Sequence, residues 1–155
     1  MLKQRKSIVG LDIGTSCIKA IELTREKYDH VITGYAQIDV PDDASRFDAI
    51  AELMSAANFR TKRIASAVSG KNVVFRYITM PQMSDDKLVQ AVRLEADQYI
   101  PFDVEDVELG AQRLDVGHAE ASSEEMQVLL VAAKKDVVND HGHMLTELGL
   151  QPVSV

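Results

Sequence analysis

Val9-Gly10-Leu11-Asp12-Ile13-Gly14-Thr15-Ser16-Cys17-Ile18-Lys19 is the stretch whose reading decides the fold. Residues 7–13 and 17–23 are β-rich runs, and the Gly-Thr-Ser between them is a tight turn of small residues, so a hairpin is expected. Asp12 closes an apolar strand expected to be buried, where a carboxylate is costly unless it serves a cation or a hydrogen-bond network. Gly14 lets the backbone turn and approach a ligand, while Thr15 and Ser16 offer hydroxyls and successive N–H groups suited to phosphate oxygens. Lys19 can reach the same phosphates as a point charge, and Asp12 would hold a hydrated Mg²⁺ opposite them. For so short a motif, a plain hairpin with a Gly-Thr-Ser turn stays open as the alternative.

Working outward, residues 30–40 form a third strand with Gly34 as a candidate bulge, stopped by Pro41, Asp42 and Asp43. The opening is thus a three-strand antiparallel meander. Phe47, Ile50, Ala51, Met54 and Ala57 recur at helical spacing, which predicts a helix over 44–57 capped by Asp43 or Ser45 and ended by Asn58. Strands follow over 63–69 and 73–80, separated by Gly70-Lys71-Asn72 and closed by Pro81. Ser84 is placed as an N-cap, Asp85 and Asp86 suit the positive end of the helix dipole, and Leu88, Val92, Ala96 and Tyr99 form one buried stripe before Pro101. Residues 107–116 and 126–133 are expected as a hairpin around a mobile polar loop. A last helix over 135–148 turns Val137, Val138, Leu145 and Leu148 inward, with Gly149 as its C′ residue. Leu150 then opens a strand at which the sequence stops, so the chain is expected to be a piece of a longer protein.

The 155 residues suffice for one ordinary domain or two small subdomains. With 24 acidic against 17 basic side chains, a net charge of −7 and no basic stripe, the chain is not expected to bind nucleic acid. Aromatic content of 5% without Trp also argues against base- or sugar-stacking platforms. One cysteine, Cys17, excludes an intrachain disulfide and a thiolate zinc cluster, which fits a reducing cytoplasm. No run of about 18 apolar residues is present, so membrane association is expected only through a partner. Lys3, Arg5 and Lys6 are too few to anchor to lipid without an apolar element. His141 and His143 sit two apart on a helix and diverge, so no metal site is expected there. Cys17 has no neighbouring base and reads as strand packing.

An apolar strand, an acid at its end, Gly14-Thr15-Ser16, Lys19 seven residues after the acid, and Ile21-Glu22-Leu23 together resemble the first phosphate motif of the actin, heat-shock ATPase and sugar kinase superfamily. Ala67-Val68-Ser69-Gly70, Met80-Pro81-Gln82-Met83-Ser84 and Arg93-Leu94-Glu95-Ala96-Asp97-Gln98-Tyr99-Ile100-Pro101-Phe102 are similar to the PilM family of type IV pilus assembly. So is the stretch from Val128-Leu129-Leu130-Val131-Ala132-Ala133-Lys134 to Gly149-Leu150, and FtsA is a more distant resemblance.

The resemblance implies an α/β fold with a mixed sheet: a ribonuclease-H-like, actin-like ATPase subdomain over 1–70, an inserted FtsA-like α+β subdomain over 71–149, and a return beginning at 150–155. It implies ATP or ADP with Mg²⁺ at Asp12, Gly14, Thr15, Ser16 and Lys19 in the full-length protein, with weak or no binding by this chain alone. It further implies a cytoplasmic scaffold that captures the cytoplasmic tail of the inner-membrane protein PilN in a groove between the subdomains and meets other assembly components such as the assembly ATPase. Met80, Pro81, Tyr99, Ile100, Pro101 and Phe102 are the candidate groove residues, with packing into the inserted core as their alternative role. An FtsA-like division protein and a sugar or acid kinase share the hairpin, but a kinase needs a general base that is not identifiable here.

Overall fold

The computed structural model describes residues 7–41, 44–114 and 124–155. The expected cap at Asp43, the basic Lys3, Arg5 and Lys6, the end of the 107–116 strand and most of the polar loop lie outside these residues. In chain order the elements are β1 (Ser7–Ile13), β2 (Cys17–Arg25), β3 (His30–Asp39), α1 (Arg46–Ala56), β4 (Arg63–Ser66) and β5 (Val73–Pro81). There follow α2 (Asp85–Glu95), β6 (Val107–Arg113), β7 (Glu125–Lys134), α3 (Lys135–Glu147) and β8 (Gln151–Ser154). Among the described residues no helix is long and apolar enough to cross a membrane.

The chain divides into two compact units, one of Met1–Ala67 with Asp140–Val155, the other of Val68–Asn139. The first boundary nearly coincides with residue 70. The second falls inside α3 rather than at 149, because Leu145 is fully buried in the first unit's core and Met144 and Leu148 pack against it.

In the first unit the sheet order is β3-β2-β1-β4-β8, with β1, β2 and β3 antiparallel and β4 and β8 parallel to β1. Mixed pairing of this order is the ribonuclease-H-like arrangement the sequence implied. Val9, Leu11, Ile18 and Ala20 are buried together with Ile50 and Leu53 of α1 and Leu145 of α3. The buried stripe of α1 is Ala49, Ile50 and Leu53 with Met54 half-buried, one step round from the expected one, so Phe47 and Ala51 face outward. Ser45 caps α1 by accepting from the Asp48 N–H at 3.4 Å, and Asn58, at φ 50°, ends it in the left-handed conformation that Asn tolerates. α3 closes in a Schellman motif: Gly149, at φ 70°, donates to Thr146, Leu150 donates to Leu145, and both leucines are buried.

Towards the start of β1 the sheet's buried face turns polar. Ser7 Oγ and Thr24 Oγ1 lie 2.9 Å apart, Thr24 Oγ1 and Thr33 Oγ1 2.9 Å apart, and Thr33 donates to Glu22 Oε2 at 2.7 Å. Glu22, only 1% exposed, also accepts from the Arg60 backbone N–H at 2.7 Å. The expected bulge is present beside Gly34: Glu22 pairs with Gly34 and Leu23 with Ile32, so Thr33 is the extra residue and turns to the carboxylate. Gly34 itself is required by packing, since a Cβ there would lie 2.9 Å from the Phe59 ring.

The second unit is a three-stranded antiparallel sheet, β5-β7-β6, with α2 on one face. Ile78, Met80, Leu88, Val92, Val128 and Leu130 form the centre of its core. Ser84 stands at the N-cap of α2 without a side-chain bond, while Asp85 pairs with Arg113 at 3.3 Å and Arg113 also donates to the Met83 carbonyl. The helix stops at Glu95 and tightens into a 3₁₀ turn, Ala96–Gln98, so Tyr99 is only half-buried. Pro81 lies inside β5 rather than beyond it, tolerated because β5 is an edge strand.

The glycines supply a paired test. Gly34→Ala should lower the unfolding free energy by about 1–3 kcal/mol through the clash with Phe59, whereas Gly110→Ala, with nothing within 4 Å of the new methyl, should be neutral or slightly stabilising. Urea midpoints of the two variants check both.

Candidate functional site: the β1–β2 hairpin

β1 and β2 pair from Ser7↔Thr24 to Ile13↔Ile18, which sets Asp12 directly opposite Lys19. Opposite charges facing one another across a ladder attract modestly and hold each other near one spot. Both side chains are exposed, and this corrects the sequence expectation of a buried carboxylate. Leu11 is the last core residue of β1, and strand alternation sends the next side chain to the other face. Asp12 therefore faces solvent opposite Lys19 and does not sit in a desolvated pocket.

The turn is held by backbone bonds. Gly14 N–H donates to the Cys17 carbonyl at 3.1 Å, and a Cβ on Gly14 would stand 2.5 Å from that oxygen, so only glycine fits. The Ser16 carbonyl accepts from Val40 N–H at 2.8 Å and the Thr15 carbonyl accepts from Arg46 Nη2 at 3.5 Å. The Thr15 and Ser16 side chains are exposed at the tip. Asp12, Gly14, Thr15, Ser16 and Lys19 thus come together in one open hairpin, an acid and a base flanking a hydroxyl-bearing turn. An unburied carboxylate across from a lysine is the donor type that hydrated Mg²⁺ takes with phosphate oxygens, so these residues fit one wall of a magnesium–phosphate site. Among the described residues no group of three or more His, Cys, Asp or Glu could hold a metal by itself.

Two supports escaped the sequence reading. Arg46, at the first turn of α1, brings a second cation to the hairpin tip from 31 residues away. Ser66, at the end of β4, donates to the Leu11 carbonyl at 2.9 Å, and His141 of α3 lies 3.1 Å from the Ser66 oxygen. With the Ser66 proton already given to Leu11, His141 Nε2–H is the donor to Ser66. Partial burial lowers the His141 pKa, which favours this neutral ring and fixes the backbone immediately before Asp12. No local pattern in the sequence marks either contact, because both join distant elements. Cys17 is half-buried with its Sγ 3.8 Å from the Ile18 carbonyl, and His143 is exposed.

The candidate groove residues do not form one strip. Met80 and Ile100 are 2% and 6% exposed and belong to the second unit's core, so they take the packing role. Pro81 and Pro101 are exposed, while Tyr99 and Phe102 are half-buried against that core. Pro81 pairs with Glu125 at one end of the ten-residue β7, and the Phe102 ring lies 5.2 Å from Lys134 Nζ at the other. At about 3.3 Å per residue those ends are roughly 30 Å apart. The separation arises because α2 carries the chain back along the sheet between Met83 and Tyr99. Phe102, Asp103, Asp106, Lys134, Lys135 and Asp136 line a cavity of about 450 Å³ at the Phe102 end.

Sheet order, hairpin and inserted α+β unit define an actin-like ATPase fold. The family model described as Type IV pilus assembly protein PilM matches residues 10–155, and the chain belongs to that family. Among solved structures, a PilM-PilN type IV pilus biogenesis complex is similar, with 29% identity and a TM-score of 0.79 over 96% of this chain and 46% of that one. The cytoplasmic domain of EpsL, an inner membrane component of the type II secretion system of Vibrio cholerae, shares the fold at 14% identity and a TM-score of 0.60, over 95% of this chain and 55% of that one. The chain therefore spans about half the length of these structures.

Gly14→Ala should cost about 1–3 kcal/mol, since its methyl meets a backbone oxygen that cannot yield without opening the hairpin. Asp12→Ala should change stability by no more than about 0.5 kcal/mol, as an exposed side chain outside the core. Thermal or urea unfolding of the two variants separates an architectural glycine from an acid available for binding.

Proposed function

We propose that the protein acts in type IV pilus assembly as a cytoplasmic, actin-like, nucleotide-binding scaffold that captures the cytoplasmic tail of the inner-membrane protein PilN. The observation that carries the reading is the likeness, over 96% of this chain, to a PilM solved in complex with PilN. The hairpin supports the nucleotide part: Asp12, Gly14, Thr15, Ser16 and Lys19 offer the magnesium-facing acid, tight turn, hydroxyls and cation suited to the phosphates of ATP or ADP. Asp12 would hold hydrated Mg²⁺, which when bound would supply neutralisation of the phosphate charge. The chain's own residues orient that group and leave it open to water, so the remainder of the cleft must come from beyond these elements. Capture of a membrane protein's tail would place the scaffold at the inner membrane through its partner, and further contacts would run to other assembly components such as the assembly ATPase. The exposed part of the second unit around Pro101 and Phe102 is the tail-binding candidate that remains once Met80 and Ile100 are assigned to the core.

Calorimetry with MgATP should register no more than weak binding by residues 1–155 and clear binding by the full-length protein. Micromolar affinity in residues 1–155 would contradict the half-site account. Titration of a synthetic PilN-type tail peptide into the full-length protein should give saturable binding, weakened several-fold by Phe102→Ala. Absence of any binding to the folded protein would sink the scaffold reading.

A further inference from the structure

Among the described residues the Asp12 carboxylate makes no hydrogen bond or ion pair, so its place is set by its own backbone. On one side that backbone is held by the ladder with β2, where Asp12 faces Lys19. On the other side the parallel ladder with β4 runs out at Leu11↔Ser66. There the Ser66 hydroxyl donates to the Leu11 carbonyl at 2.9 Å. The Leu11 carbonyl and the Asp12 Cα belong to one planar peptide unit, so a bond that fixes the oxygen also fixes the Cα from which the Asp12 side chain leaves.

A serine hydroxyl can turn its one proton to any acceptor in reach, and the His141 ring stands in reach as well, with Nε2 3.1 Å from Ser66 Oγ. A hydrogen on Nε2 decides the direction. The ring then donates to Ser66 and cannot accept from it, which turns the serine proton to Leu11. His141 is delivered by α3. Leu145, one helical turn further on, lies on the same face and is fully buried in the first unit's core, so the packing that seats Leu145 also seats His141, while His143 is exposed. Ser66 and His141 are half-buried and Leu11 is buried, and in such surroundings hydrogen bonds in a chain polarise and strengthen one another.

We infer that Ser66 and His141 are positioning residues of the hairpin: His141 orients the Ser66 hydroxyl, the hydroxyl fixes the Leu11 carbonyl, and the shared peptide plane sets the place from which Asp12 meets the hydrated magnesium of a bound nucleotide. The inference rests on the nucleotide-binding reading and adds two residues to that site, neither of which touches the nucleotide. Groups that hold a metal's ligand from behind change metal affinity by about 10–100-fold when they are lost, since a side chain left free to wander must be ordered again on binding. The rest of the hairpin does not depend on this relay. Thr15 and Ser16 take their places from the Gly14–Cys17 and Ser16–Val40 backbone bonds, and Lys19 from β2, which pairs with a strand on either side. Loss of the relay therefore falls on the magnesium-dependent part of nucleotide binding and spares the part that phosphate makes with the turn and the lysine.

The test titrates the full-length protein by calorimetry with ATP in magnesium and with ATP in EDTA. Ser66→Ala should weaken magnesium–ATP binding about tenfold and His141→Leu several-fold, with the affinity for ATP in EDTA unchanged in both. His141→Gln, whose amide offers an N–H in place of Nε2–H, should retain wild-type affinity. In an Asp12→Ala background Ser66→Ala should have no further effect, because the relay acts through that acid alone. Should His141→Leu misfold by circular dichroism, or ATP in EDTA bind too weakly to measure, the Ser66→Ala and Asp12→Ala cycle decides. Unchanged magnesium–ATP affinity in Ser66→Ala, equal losses with and without magnesium, or a loss that persists in the Asp12→Ala background would each overturn the positioning role while leaving nucleotide binding standing. No binding of magnesium–ATP to the folded wild type would overturn both.

Discussion

A carboxylate with 1% exposure organises the first unit. Glu22 accepts at 2.7 Å from both the Thr33 hydroxyl and the Arg60 backbone N–H. Left without those donors, a buried carboxylate is strongly destabilising, so the fold must deliver both donors at once. Thr33 reaches it only because β3 bulges there, and Arg60 only because the chain leaving α1 turns under the sheet at Asn58 and Phe59. Gly34 permits that turn by leaving room for the Phe59 ring. The same passage brings the chain into β4 beside β1, converting an antiparallel meander into a mixed sheet.

From that point the hairpin is a consequence. With β4 parallel to β1, Ser66 meets the Leu11 carbonyl, and α3 sets His141 against Ser66. The end of β1 is fixed from behind by neutral hydrogen bonds while Asp12 and Lys19 face outward as a register pair. Positioning an acid through its backbone leaves its side chain available, which a buried acid locked into its own network could not offer. Glu22 and Asp12 lie on adjacent strands of one sheet and illustrate the two uses of a carboxylate: one structural and enclosed, one exposed and unassigned to the core.

Local patterns predicted most of the element order. The Gly-Thr-Ser turn, the Asn58 and Gly149 helix ends and the strand alternation of β7 all follow from residues within a few positions of each other, where backbone sterics decide. Burial was harder to read wherever it depended on what lies across the sheet. Asp12 resembled a buried acid because its neighbours Leu11 and Ile13 are apolar, yet alternation puts it on the opposite face from Leu11. Glu22 passed as an ordinary strand residue, since its donors come from Thr33 and Arg60. The PilM-like strip joined residues at opposite ends of a sheet because sequence proximity hides the return path of α2. Arg46 and His141 were missed for the same reason, being brought in by tertiary packing from 31 and 75 residues away.

The exposure of the hairpin also determines what it can do alone. Two unit charges about 4 Å apart attract by only about 1 kcal/mol in bulk water, against several times more once the surroundings are less polar. Lys19, Asp12 and the Thr15–Ser16 tip meet solvent directly, so each would attract an opposite charge at the weak end of that range. Adding charges to an open hairpin raises the attraction slowly. Enclosing the same charges raises it steeply, because every interaction in the site strengthens together when water leaves. The sequence gathers an acid, a lysine and two hydroxyls on one turn, and their exposure keeps each of their interactions in the weak, water-screened range.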